Sequence, residues 1–179
     1  MMAGPNRQPV TPALRQFVLK HDMRIAELSG QPYGQDYREG LLRQDGVMFD
    51  SEPPITAILA AGPKGMAILE RIQRAHYVEG RSISDKAVLM ELAAELGFDA
   101  VAFRDVFERF SGKPTINHIA ESRALLDRVQ GAGFPTFAFE WRTVQAHRLF
   151  ALFGTSGKME GCSAPGRADG WHAATGRCV

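Results

Sequence analysis

The chain has 179 residues, 45% hydrophobic and 23% charged, enough apolar material for one ordinary domain with a core. Lys and Arg total 21 against 20 Asp and Glu, so bulk charge excludes the strong field of a nucleic-acid or membrane-surface binder. No apolar run reaches the roughly 18–20 residues that span a bilayer, and no apolar stretch of a secretory signal follows the start, so the expected setting is cytoplasmic.

Helical signals dominate in chain order. Thr11-Pro12 offers an N-cap with proline at the first helical position, and Gly30 offers a stop. Between them Leu14, Phe17, Val18, Ile25 and Leu28 form an apolar stripe. Gln31 to Gly46, with Pro32, Gly34, Gly40 and Gly46, reads as a loop containing a short helical turn. Asp50-Ser51-Glu52-Pro53-Pro54 then starts a helix running to about Ala61. Pro63 opens the next, with Met66, Ile68, Leu69, Ile72, Ala75 and His76 near its inner side and an end at Glu79-Gly80.

Ser84 is expected to cap a helix with Asp85 in its first turn, where the helix dipole favours a negative charge. Its apolar face is Val88, Leu89, Leu92, Ala93 and Leu96. Asp99 begins another helix carrying Phe103, Phe107 and Phe110 at core spacing. Pro114 or Thr115 opens the last, with Ile116, Ile119, Leu125, Leu126 and Val129, and Gly131 and Gly133 break it. The period then changes: Thr136-Phe137-Ala138-Phe139-Glu140 reads as a strand behind Pro135. Arg142 to Phe153 fits neither period. One strand alone leaves its backbone groups unpaired, so it is expected to pair with a strand not recognised in this sequence, with another chain, or with a piece this polypeptide lacks.

Through Glu140 the net charge is −2; from Trp141 onward it is +3, with 6 of the 18 glycines. Gly154 to Val179 has no apolar period and is expected to be a disordered tail. Both cysteines, Cys162 and Cys178, lie in that tail sixteen positions apart, and no C-x-x-C occurs. Thiol–disulfide exchange needs a thiolate of lowered pKa at a helix N-terminus or beside a cation, and neither tail cysteine has one behind it. His21, His76, His118, His147 and His172 are scattered without metal-ligand spacing, so no metal or cofactor is expected. His76-Tyr77 is expected to be packed or capping. Glu91/Glu95 and Asp105/Glu108 read as solvated helix faces.

Three stretches carry a resemblance. Val47-Met48-Phe49-Asp50-Ser51-Glu52-Pro53, Gln73-Arg74-Ala75-His76-Tyr77-Val78-Glu79-Gly80-Arg81 and Gly133-Phe134-Pro135-Thr136 together resemble the DsbA-like thioredoxin-fold family, in its cytoplasmic FrnE-like branch. The resemblance covers about residues 3–140. It implies an α/β chain, mostly α here: a partial thioredoxin-like fold over 1–153. A helical insertion and return helix would occupy about 11–130, and a cis-proline loop and strand 133–140. On that template a strand, the C-x-x-C, its helix and a second strand should precede this segment.

By the same resemblance, Phe134, Pro135 and Thr136 would form the substrate-binding element, pairing with an extended peptide or thiol substrate by strand-like hydrogen bonds. The expected function is that of a thiol–disulfide oxidoreductase homologue, inactive as this isolated chain for want of the reactive cysteines. No nucleic acid, membrane or cofactor is implied, and an exposed sheet edge would favour a homo-oligomer. Two other readings remain at this stage. One is a glutathione-dependent isomerase or transferase of the same fold; the other is a non-catalytic helical binding or oligomerisation module.

Overall fold

Helix α1 (Pro12–Ser29) starts where the Thr11 hydroxyl accepts the Leu14 N–H at 3.2 Å, with proline at the first helical turn. It stops at Gly30, whose φ of 71° only glycine adopts freely. The computed structural model describes residues 2–131, 136–143 and 146–153. Helices α2 (Glu52–Ala60), α3 (Gly65–Tyr77), α4 (Lys86–Glu95), α5 (Ala100–Phe110) and α6 (Lys113–Arg128) follow, all where the sequence predicts helix. Two short antiparallel pairs complete the described chain. Strand β1 (Gln8–Pro9) pairs with β2 (Met48–Phe49), and β3 (Thr136–Thr143) pairs with β4 (Ala146–Phe153) from Thr136↔Phe153 to Thr143↔Ala146. The result is the expected fold: a mostly helical, partial thioredoxin-like α/β architecture.

One core lies among α2, α3, α4 and α5. Ala57 and Ala61 let α2 approach closely, and Ile68, Ile72, Leu89, Leu92, Phe103 and Phe107 fill the space between. Each of these large side chains contributes about 1.5–3 kcal/mol on leaving water. A second core sits under the segment that connects α1 to β2. There Tyr37, Leu41 and Leu42 are buried, with Val18 and Leu19 of α1 and Phe49 of β2 against them. Arg15 fastens α1 to this segment by donating its Nε–H to the Leu42 carbonyl at 2.6 Å. The expected single helical turn is a wide turn at Asp36–Gly40 followed by a tight one at Leu41–Arg43.

Four expectations need correction. The cap of α4 is Asp85, not Ser84: the Asp85 carboxylate accepts the Ala87 N–H at 2.8 Å, while Ser84 is bonded to Ser82. Phe17, Ile25 and Leu28 of the α1 stripe are exposed, because α1 meets the second core mainly through Val18, Leu19 and Asp22. Met66 is exposed too, at the first turn of α3 before that helix enters the core. Finally, of the three sources of a partner for the strand at Thr136, the structure shows a strand not recognised in the sequence, rather than the preceding strands that the family template implies. Ala146–Phe153, whose side chains fit neither period, is strand β4 and closes a hairpin on β3. The expected tail at 154–179 lies outside the described residues.

Candidate functional site

Val18 and Asp22 are four residues apart on α1 and so share one face. That face places a carboxylate, only 7% exposed, against the second core, where the Tyr37 hydroxyl donates to its Oδ2 at 2.9 Å. Burial raises the Asp22 pKa above the ordinary carboxylate value, opposed by that hydrogen bond and by the field of His21. The same burial and the Asp22 charge raise the pKa of Tyr37.

From α3, His76 and Tyr77 complete an aromatic cluster. Tyr33 and Tyr77 meet edge to face at 5.4 Å between centroids, Tyr37 and Tyr77 at 5.3 Å, and Tyr37 and His76 at 5.2 Å. The His76 ring is 8% exposed, and desolvation lowers its pKa to about 4, so it is neutral at physiological pH. Its Nδ1 lies 3.4 Å from the Arg81 carbonyl. A carbonyl only accepts, so Nδ1 carries the proton and Nε2 is a bare acceptor.

Two glycines let the backbone build this arrangement. A Cβ on Gly34 would fall 1.9 Å from the Val78 carbonyl oxygen. One on Gly80, whose φ is 64°, would fall 2.4 Å from the Asp36 oxygen. The turn after α3 therefore sits directly on the turn after α1. Arginines hold it there: Arg71 clamps Glu79 with two bonds of 3.0 Å and donates Nε–H to Glu95 at 2.6 Å, while Arg81 pairs with Glu91 and Glu95. The Arg71 hydrogen bond is the main reason the Glu95 pKa is held below its ordinary value. Glu91 and Glu95 thus bear ion pairs rather than only solvent, and Glu108 pairs with Lys86.

Between α1, β2, the end of α3 and Ser82–Ser84 opens a cavity of about 480 Å³, within the range of small-molecule sites. Asp22, Tyr37, His76 and Tyr77 line it together with Phe17, His21, Phe49 and Asp50. Among the described residues no group of three or more His, Cys, Asp or Glu could hold a metal ion, and no helix is long and apolar enough to cross a membrane.

Of the sequence-predicted site residues, Thr136 is the first residue of β3. Phe134 and Pro135 lie outside the described residues, as do Cys162 and Cys178. His76 and Tyr77 are packed, as expected. Sequence reasoning missed Asp22, Tyr37 and Phe49 as members of one site. The Val18-x-x-x-Asp22 spacing, a carboxylate on a buried face, was the available signal for the first.

The helical body with a following β-hairpin fits part of a DsbA-like, thioredoxin-fold chain, and comparison with solved structures places it in that class. The cytosolic disulfide reductase DsbM from Pseudomonas aeruginosa is 51% identical, with a TM-score of 0.73 over 82% of this chain and 69% of that one. A structure of the same reductase with GSH gives 50% identity and a TM-score of 0.72 over the same shares. A "putative protein disulfide isomerase" from Nitrosomonas europaea is 25% identical, with a TM-score of 0.65 over 79% of this chain and 67% of that one. No protein-family profile and no curated protein sequence matches the chain. At this identity and coverage the chain belongs to the cytosolic, DsbA-like family of thiol–disulfide oxidoreductases. The glutathione-dependent isomerase and the purely structural reading are not favoured by these relatives.

Proposed function

We propose that this chain supplies the substrate-docking part of a cytoplasmic disulfide reductase, with glutathione or a cysteine-bearing extended peptide as its thiol partner, the reactive dithiol not being among its 179 residues. The observation that carries this reading is the 51% identity to a cytosolic disulfide reductase over 82% of the chain. The GSH in the related structure supports glutathione as the small thiol. In this reading Phe134, Pro135 and Thr136 present backbone groups to the substrate in the manner of an added strand. Residues 1–153 act as one unit, and the outer edge of the β3–β4 hairpin is where a second copy would pair.

The reaction requires a thiolate to attack a disulfide sulfur and a second thiol to displace the first. The sequence contains no C-x-x-C, and Cys162 and Cys178 are sixteen apart. The 179-residue polypeptide is therefore expected to show no turnover in a glutathione-coupled insulin-reduction assay. Turnover that survives Cys162→Ser and Cys178→Ser together would overturn the dithiol chemistry; turnover lost in the double variant would overturn only the claim of inactivity. Binding is tested separately. S-methylglutathione should shift the amide resonances around Thr136, and a normal response in Pro135→Ala would remove that loop from the site.

A further inference from the structure

The acid–aromatic cavity has a polarity that thiol exchange does not call for. Among the described residues its walls hold two carboxylates, Asp22 and Asp50, two histidines and no lysine or arginine. Asp50 is pinned from outside, accepting the Glu52 N–H at 2.9 Å and lying 3.6 Å from the Arg7 guanidinium. Asp22 is deeper; its hydrogen bond comes from the neutral Tyr37 hydroxyl, which leaves a desolvated negative charge incompletely compensated. His76 adds a further acceptor. Its Nε2 has no hydrogen-bond partner among the described residues and is not among their fully buried unsatisfied atoms, so it retains some exposure on a ring that lines the cavity. Around these acceptors stand the rings of Tyr37, Tyr77, Phe49 and Phe17, whose π faces attract positive charge.

We propose that this cavity binds a small organic amine in its protonated form: a primary ammonium carried on an apolar or aromatic stem. The ammonium would donate to the Asp22 carboxylate and to His76 Nε2, and the stem would lie among the aromatic rings. An ammonium's three N–H donors match the Asp22 carboxylate and the His76 acceptor, which an alcohol's single O–H cannot serve together. An anionic ligand such as glutathione finds no lysine or arginine there and would face the Asp22 and Asp50 carboxylates. The inference concerns binding alone and stands apart from the disulfide-reducing role.

The test is titration of the full chain with 2-phenylethylammonium, its neutral analogue 2-phenylethanol, N-acetyl-lysinamide and glutathione, followed by calorimetry and by resonances of the cavity residues. The amine should bind at least about tenfold more tightly than the alcohol, a difference of about 1.4 kcal/mol. Asp22→Asn should abolish that preference while 2-phenylethanol binding persists. Should Asp22→Asn fail to fold, His76→Phe replaces the open acceptor with an apolar ring and should cut the preference at least threefold. Equal affinity for amine and alcohol, tighter glutathione than amine in this cavity, or a preference unmoved in the folded variants would overturn the proposal. N-acetyl-lysinamide binding more tightly than 2-phenylethylammonium would overturn the small-amine assignment in favour of a protein lysine.

Discussion

Acidifying the protein protonates His76 in the unfolded chain long before it does so in the fold. The unfolded ring titrates near 6.5, whereas burial holds the folded one at about 4. Between those values the unfolded state binds the extra proton, so stability is complete above pH 6.5 and is lost as pH falls. With 1.36 kcal/mol per unit, the linkage removes about 2 kcal/mol by pH 5 and about 3 kcal/mol by pH 4. Asp22 works in the opposite direction, because its raised folded pKa stabilises the fold on protonation. That effect is shared by the protein and a variant at His76, so over pH 7 to pH 5 the difference between their slopes reports the histidine. Urea unfolding at half-unit intervals across that range should give a slope approaching 1.4 kcal/mol per unit at its acid end. His76→Gln keeps a polar side chain without a titrating ring, and its slope should flatten. An unchanged slope in that variant would refute the assignment of the linkage to His76, and with it the dry cluster around that ring.

The other end of the pH scale reads the same cluster. Tyr33, Tyr37 and Tyr77 are the chain's three tyrosines, all are raised, and Tyr33 is pushed up to about 12. Unfolded tyrosines ionise near 10 while the folded ones stay protonated, so stability should fall as pH rises through 10. Tyrosinate absorbance should then appear together with unfolding; ionisation of any tyrosine near pH 10 in the folded protein would contradict the packing. Gly80→Ala should cost at least about 2 kcal/mol in chemical denaturation, since it combines a positive φ with a Cβ 2.4 Å from the Asp36 oxygen. Thr56 and Thr115, buried and 2.9 Å apart, also point to the Glu52 and Phe110 carbonyls. Two hydroxyl protons cannot serve three contacts, so Thr56→Val and Thr115→Val should each cost about 1 kcal/mol and the double variant less than their sum.

What could be read from the sequence divides along the range of the interactions involved. Thr11-Pro12, Asp99 and Gly30 announce helix ends because a cap bonds within four residues of itself, and the Leu89–Leu92 and Phe103–Phe107 spacings announce the first core because period fixes face. The Asp85 cap was misplaced by one position, since serine and aspartate cap equally well and only the Ala87 N–H decides. Strand β4 escaped because a hairpin partner is specified by register against β3 rather than by its own alternation. The cavity was hidden for a related reason. Asp22, Tyr37, Phe49 and His76 come from four separate segments, and what brings them together is the close approach of Gly34 to Val78 and of Gly80 to Asp36. A glycine in sequence signals freedom, not contact, so neither residue could indicate which backbone it admits. The family resemblance supplied one clue from another direction: Gln73 to Arg81, one of the stretches that carry it, contains His76, Tyr77, Gly80 and Arg81. In this structure those four residues close the second core, position the neutral imidazole and anchor the turn, so that stretch also builds one wall of the cavity.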